Sequence, residues 1–173
     1  MLLFTQFSVK GSFVMNNYPW IKTGLKFVGL REIKGPQHEP EILQMWKDIK
    51  RGGIKDDETA WCAAYTGAMF ERNGIASTRF EGSQSYLKWG EALDKPIYGC
   101  VCVGKRPGGG HVGFVVGMTH NGDPILLAGN QGDMVSIKAF PKDRVLGYRW
   151  PTGQQKLNID MPIGDAAYTT KES

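Results

Sequence analysis

Residues 61–74 read WCAAYTGAMFERNG, and the rest of the chain can be arranged around this run. Its alanine, methionine and phenylalanine side chains suit a helix inside a core, and charge appears only near its end. Gly74 follows as a residue that accepts the left-handed conformation in which helices commonly stop. The pattern predicts a buried helix from about Ala60 to Asn73.

Three other segments have helical features. From Pro19 to Val28, apolar residues recur at the i, i+4 and i+7 positions behind a proline at a helix start. From Pro40 to Lys50 they fall on one helical face. Ser83 opens SQSYLKWG, where the serine cap predicts a short helix as far as Gly90. Helices therefore fill much of the first half of the chain.

Beyond Gly90 the pattern changes to short β-branched, apolar runs bounded by glycine and proline. Four of these runs are predicted strands: Tyr98–Gly104, His111–Met118, Pro124–Leu127 and Met134–Lys138. Asn121-Gly122 joins the second run to the third and is a strong hairpin signal, so we expect antiparallel pairing. Helices followed by an antiparallel meander predict an α+β fold.

The length of 173 residues suits one domain with short additions. We divide the chain into an extra N-terminal segment (1–17), a main domain (18–151) and a polar C-terminal tail (152–173). Hydrophobic residues make up 41% and charged residues 22%, as in folded globular proteins. The net charge of +4 comes without a Lys/Arg cluster, so we expect no nucleic-acid partner.

Three cysteines cannot all pair, and their spacing fits neither a disulfide framework nor a zinc site. We therefore expect reduced thiols, no metal and no cofactor. No apolar run approaches the roughly 20 residues of a membrane span, which predicts no stable membrane insertion. The first fifteen residues lack a small-residue cleavage site, so export by a signal peptide is not expected. We also expect a monomer.

Cys62 is the candidate nucleophile. It is predicted in the first turn of the buried helix, where free N–H groups and the helix dipole favour a thiolate and a lowered thiol pKa. The ordinary alternative is a small buried hydrophobe. Cys100 and Cys102 alternate on one face of a predicted strand, and we assign both to the core.

His111 is the candidate base, because it follows three glycines and begins the run HVGFVVG. The Asn121-Gly122 hairpin could bring Asn130 beside it on the neighbouring strand. Gln131 competes for that place, because either amide oxygen can accept a hydrogen bond from the imidazole. Alternation points only one of the two inward, and we prefer Asn130. With Cys62 these residues fit a Cys-His-Asn arrangement.

Four runs carry a family resemblance: DETAWCAAYTGAMFERNGI (57–75), SYLKWGEALDKPIYG (85–99), GGGHVGFVVG (108–117) and LLAGNQGDMVSIKAFPKDRVLGYRWP (126–151). Over roughly Tyr18–Pro151 the chain resembles the phage endolysin-like branch of the CHAP and NlpC/P60 amidases and peptidases. The resemblance implies a papain-like α+β fold and hydrolysis of an amide bond in peptidoglycan. It gives Cys62 the role of nucleophile, His111 that of base and Asn130 that of the third polar residue.

Three residues are candidates for substrate contact: Asp57, Trp61 and Gln131. Asp57 could bind the amine of a diaminopimelate stem and Trp61 could line a groove, although helix capping and core packing are the ordinary alternatives. The acidic run 56–58 lacks the spacing of oxygen-ligand loops, so it predicts no calcium site.

The implied partner is bacterial peptidoglycan. We expect the protein in the host cytoplasm before release, acting on the cell wall in the periplasm. A virion-associated or contact-delivered hydrolase of the same chemistry and a non-catalytic wall-binding module are the alternatives. The bond that is cut stays open, because an amidase and an endopeptidase would use the same three residues.

Overall fold

The computed structural model describes residues 18–168, in which three α-helices precede an antiparallel sheet. Helix α1 spans Pro19–Leu25, α2 spans Pro40–Asp48 and α3 spans Cys62–Glu71. Each lies inside its predicted range, and α3 is buried from Cys62 onward as its sequence predicts. The fourth predicted helix is a 3₁₀ helix, Ser83–Lys88. In this part of the chain no helix is both long and apolar enough to cross a lipid bilayer.

The described residues form a six-stranded sheet, paired antiparallel throughout. Its strands are β1 Glu91–Leu93, β2 Val101–Arg106, β3 Gly109–Met118, β4 Pro124–Ala128, β5 Ser136–Ala139 and β6 Val145–Trp150. Across the sheet their order is β1-β6-β2-β3-β4-β5. The four predicted strands correspond to β2 through β5, which are neighbours in sequence order. The predicted α+β class is therefore confirmed.

The sequence does not predict β1 and β6. Strand β1 has three residues and forms only by pairing with β6, where Ala92 faces Arg149. Strand β6 contains Gly147 and is half-buried along most of its length, so it shows no clean alternation. Its place between β1 and β2 depends on pairing with residues far away in sequence, which a local pattern does not contain.

An aromatic cluster joins the start of the described chain to β6. The ring of Tyr18 stacks on Trp20, with 4.8 Å between centroids. Trp150, the last residue of β6, lies edge-on to both rings at 5.1 and 5.6 Å. Phe70 of α3 extends the cluster to the helix layer, 5.6 Å from Trp20. Helix α3 in turn packs on β3 and β4, so the helices and the sheet share one core.

Residues 152–168 bind the sheet through their backbone. Met118 N–H donates to Pro162 O at 2.8 Å, and Gly164 N–H donates to Met118 O at 3.0 Å. Farther along, Ala139 N–H donates to Ala167 O at 2.9 Å. The polar sequence of this segment does not signal these contacts, because main-chain groups make them. The predicted extra segment, 1–17, and residues 169–173 lie outside the described residues.

Candidate active site

Cys62 is the first residue of α3, as the sequence predicts. Trp61 precedes it with φ −106° and ψ 16°, outside helical geometry, so the helix begins at the thiol. The Cys62 side chain is only 3% exposed. Backbone N–H groups of Ala63 in α3 and Val112 in β3 both face the sulfur. The thiol therefore lies where the helix start meets the sheet, beside the residue that follows His111.

The pKa of Cys62 corrects one expectation. Burial raises the pKa of the thiol, and this effect outweighs the lowering by the Arg106 guanidinium and by the N–H groups of Val112 and Ala63. The sequence predicts a lowered pKa from the helix start alone, because it does not show that packing removes water from the sulfur. At neutral pH the resting group is therefore the thiol.

His111 lies in β3 and is completely buried. Its ring stacks on Phe140, with 5.6 Å between centroids and 26° between planes. Burial, helped by the positive charge of Arg106, lowers the pKa of the imidazole to about 3, against the hydrogen bond that it donates to Gln131, which raises it. The imidazole is therefore neutral at rest.

Gln131 fixes the tautomer of that neutral ring. Its amide nitrogen faces two backbone oxygens, those of Leu126 at 3.2 Å and Ser136 at 3.1 Å, which can only accept. The amide oxygen Oε1 is thereby turned toward His111 Nε2, 3.1 Å away. Because Oε1 can only accept, Nε2 must carry the hydrogen. Nδ1 then holds the lone pair, and it has no hydrogen-bond partner among residues 18–168.

The preference for Asn130 as the partner of His111 is therefore wrong, and Gln131 has that place. Asn130 is buried but has φ +52°, in the left-handed region that asparagine tolerates better than most residues. Gly132 and Asp133 also have positive φ, so residues 130–133 form a tight turn. Strand alternation, on which the preference was based, does not apply within such a turn.

Asp57, a candidate for substrate contact, is enclosed by hydrogen bonds from the protein itself. Its carboxylate is fully buried and accepts hydrogen bonds from the backbone N–H groups of Ile33 at 2.6 Å and Glu39 at 2.8 Å. His38 Nδ1 lies 2.9 Å from its other oxygen. Burial raises the pKa of Asp57, but these hydrogen bonds outweigh it and lower the pKa below its ordinary value. Through these hydrogen bonds Asp57 links the loop before α2 to the segment that leads into α3.

Trp61 is likewise part of the core rather than of a binding groove. Its side chain is fully buried, and its Nε1 donates to Glu32 Oε2 at 3.2 Å. The indole also packs so closely on Gly129 that a Cβ there would lie 2.7 Å from the ring. Trp61 thus holds the start of α3 against the chain just before Gln131.

A cleft of about 340 Å³ opens beside Cys62. Its wall residues are Ala60, Cys62, Glu81, Gly82, Ser83 and the run Arg106–Gly110. The beginning of β3 packs tightly on the 3₁₀ helix there, since a Cβ on Gly110 would lie 2.3 Å from Ser83 Oγ. The absence of a side chain on Gly110 therefore lets β3 lie against the side chains of Ser83 and Gln84.

Arg106 is the site residue that the sequence analysis missed. It ends β2, is 8% exposed, and its Nε donates to Gly110 O at 2.9 Å. Its charge acts on both Cys62 and His111. The signal was available: Lys105 and Arg106 are adjacent in a strand, and alternation requires one of them to face inward.

Cys100 and Cys102 are fully buried, unbonded thiols, which agrees with their assignment to the core. Burial raises the pKa of Cys100 to about 12. Within residues 18–168, no group of three or more His, Cys, Asp or Glu side chains could hold a metal ion. The ionisable side chains that line the cleft are those of Cys62, Glu81 and Arg106, and His111 lies buried behind them.

Comparison with known proteins gives this site no family. No protein-family model matches the chain, and no curated protein matches it. The site's chemistry therefore has to be inferred from its own residues.

Proposed function

We propose that this protein is a papain-like cysteine amidase or peptidase that hydrolyses an amide bond in bacterial peptidoglycan. The observation that carries the proposal is the fixed tautomer of His111. A neutral ring with its proton on Nε2 and a lone pair on Nδ1 is the form that a general base requires. Cys62, at the start of α3, lies beside the next residue of the same strand. The resemblance of the four sequence runs to peptidoglycan amidases and peptidases supplies the substrate class.

The first half of the reaction forms a thioester. As the Cys62 sulfur attacks the amide carbonyl carbon, its proton passes to His111 Nδ1, because the resting thiol is protonated and the imidazole is neutral. Backbone N–H groups at the start of α3 stabilise the oxyanion of the tetrahedral intermediate. His111 then protonates the leaving amine, and the C–N bond breaks.

The second half restores the enzyme. Water attacks the thioester carbonyl while His111 Nδ1 takes one of its protons. The C–S bond breaks, the carboxylic acid leaves, and the proton returns from His111 to the Cys62 sulfur. Gln131 accepts from Nε2–H throughout and holds the ring in place, which stabilises the imidazolium as it forms.

Cys62→Ala is the test of this proposal. Purified sacculi from Gram-negative bacteria are digested with the wild type and with the variant, and released muropeptides are identified by mass spectrometry. We expect cleavage by the wild type and none above background by the variant, because the nucleophile is removed. Equal cleavage by both proteins would show that the thiol mechanism is wrong.

Cys100→Ala is the matched control, since it removes a buried thiol that is absent from the cleft. This variant should retain activity if it folds. Iodoacetamide should inactivate the wild type, whereas EDTA should not, and the reverse pattern would indicate a metal hydrolase. Binding to sacculi without cleavage by the wild type would support a wall-binding module instead.

The same digests identify the scissile bond. A free N-terminal alanine on the released stem peptide indicates a muramoyl-alanine amidase, whereas a new amine or carboxyl group within the stem indicates an endopeptidase. Detection of the protein in purified virions would favour the virion-associated alternative over a lysis enzyme.

A further inference from the structure

Arg106 places a buried positive charge in the wall of the cleft that contains Cys62. The residue ends β2 opposite Gly109, and its Nε donates to Gly110 O at 2.9 Å. This hydrogen bond fixes the head of a side chain that is only 8% exposed. Its neighbour Lys105 points the other way and is exposed. Burial of a charged guanidinium costs folding free energy, so its position beside a buried thiol requires an explanation.

We propose that Arg106 is a positioning residue of the active site, holding a fixed positive charge against the Cys62 sulfur so that the sulfur can carry negative charge inside a water-poor cleft. Its role in catalysis rests on the proposed function. The contact between charge and sulfur is a property of the thiol itself and can be measured without any substrate.

The other charged groups around the sulfur cannot supply this charge. His111, from β3, is neutral at rest because burial holds the pKa of its ring far below neutrality. Glu81, which also lines the cleft, has the wrong sign and is paired with Arg51 at 3.1 Å. The start of α3 offers about half a positive charge, which falls off within one turn. A guanidinium, in contrast, carries a full positive charge.

The same cation acts on the base. The charge of Arg106 disfavours the protonated form of His111 while it favours the thiolate of Cys62. Arg106 therefore makes the sulfur easier to deprotonate and makes His111 a base that gives its proton back readily. Return of that proton to the leaving amine is the step that breaks the C–N bond.

Alkylation of Cys62 tests the inference. Iodoacetamide reacts with the thiolate, whose sulfur bonds to the methylene carbon as iodide leaves. The rate at Cys62 is followed from pH 6 to 10 by mass spectrometry of its peptide, which separates it from Cys100 and Cys102. The proteins are the wild type, Arg106→Gln, Arg106→Met and Lys105→Gln. Circular dichroism and thermal melting establish that each is folded.

We expect the midpoint of the alkylation rate against pH to shift to higher pH, by at least one unit, in Arg106→Gln and in Arg106→Met. Below the midpoint this makes alkylation about tenfold slower, since one pKa unit is a tenfold change. Lys105→Gln removes the same charge from the adjacent, outward-facing position and should match the wild type. The inference is overturned if a folded Arg106 variant matches the wild type, or if Lys105→Gln moves the profile equally.

A second measurement needs only the wild type, in case neither Arg106 variant folds. Iodoacetate carries a negative charge and iodoacetamide does not, so a fixed cation beside the sulfur raises the ratio of their rates. We expect this ratio at Cys62 to exceed that of N-acetylcysteine severalfold at pH 7.5, and an equal ratio contradicts the inference. Loss of wall cleavage in Cys62→Ala is judged separately, so either proposal can fail alone.

Discussion

At the scale of single residues, the side chain of Gln131 determines which nitrogen of His111 can act. Its amide donates to two main-chain carbonyl oxygens and to Ser136 Oγ, so it cannot turn over without leaving these acceptors unpaired. The proton of His111 is therefore held on Nε2. With a neutral histidine and a protonated Cys62 at rest, the proposed mechanism forms its thiolate nucleophile during attack rather than beforehand.

In the proposed mechanism Gln131→Ala should lower kcat by about a hundredfold, because the imidazole of His111 loses the hydrogen bond that holds its proton on Nε2. The variant should also lose about 1–3 kcal/mol of unfolding free energy, since it leaves buried hydrogen-bonding groups unpaired. Kinetics of muropeptide release and urea denaturation measure the two effects. Asn130→Gly keeps the positive φ that position 130 requires and should stay within a few-fold of wild-type kcat. Greater loss of activity in Asn130→Gly than in Gln131→Ala would reverse the assignment.

The buried ring of His111 also predicts how stability depends on pH. Its folded-state pKa, about 3, lies below the unfolded value of 6.5, so the unfolded chain binds an extra proton between these values. Stability is thus complete above pH 6.5 and falls with decreasing pH, by about 1.4 kcal/mol per unit. Urea denaturation from pH 7 to 4.5 measures this slope. His111→Gln should reduce this slope, because it removes the group whose pKa differs between the folded and unfolded chains.

At the scale of elements, β3 connects the parts of the site. It carries His111, its Val112 N–H faces the Cys62 sulfur, and its pairing with β4 sets the distance to Gln131. Gly113 makes this pairing close, because a Cβ there would lie 2.7 Å from Ala128 Cβ and 3.1 Å from Leu127 O. The second of these atoms belongs to the backbone of β4 and cannot move aside alone.

Gly113→Ala should therefore destabilise the protein by about 1–3 kcal/mol and reduce activity, because β4 must shift and move Gln131 away from His111. Gly109→Ala is the matched control in the same strand, since a Cβ there meets nothing within 4 Å. It should change stability by less than about 0.5 kcal/mol. Thermal melting and kinetics of both variants measure the difference, and equal effects would contradict the packing argument.

Elements whose signals are local could be predicted from the sequence. Helix α3 and strands β2 to β5 lie in mainly apolar runs bounded by glycine or proline, so local patterns suffice to predict them. The β1–β6 pair was not predicted, because a three-residue strand exists only through its partner. The burial of Asp57 could not be predicted, because its hydrogen-bond partners Ile33 and Glu39 are far upstream in sequence. The pKa of Cys62 and the choice of Gln131 over Asn130 depended on packing and on turn geometry, which residue types alone do not reveal.

At the scale of the whole molecule, the backbone after β6 returns along the sheet to its far side. Leu157 N–H donates to Tyr18 Oη at 2.8 Å, and residues 162–167 bond to Met118 and Ala139. The segment is thus attached at several places to the first residues of the domain and to β3 and β5. None of these contacts lies in the cleft lining around Cys62.

Two C-terminal deletions of different length should show how much each group of hydrogen bonds contributes to stability. Removal of residues 157–173 should lower the Tm by several degrees, because about four backbone hydrogen bonds worth roughly 0.5–1.5 kcal/mol each are lost. Removal of residues 165–173 keeps the bonds at Met118 and should lower the Tm less. Scanning calorimetry measures both, with alkylation of Cys62 to report on the cleft. A larger decrease in Tm on removal of residues 165–173 than on removal of residues 157–173 would contradict this account of the contacts.

The position of β6 has a consequence for synthesis of the protein. Because β6 lies between β1 and β2, these strands cannot join one sheet until Val145–Trp150 has left the ribosome. Cys62 and His111 emerge well before that point. Until then β1 has no neighbour and β2 has an open edge, which can pair with other chains. Chains stalled before residue 145 should therefore aggregate, while completed chains fold. The proposed hydrolysis of peptidoglycan would thus be withheld from each nascent chain until its translation is almost complete.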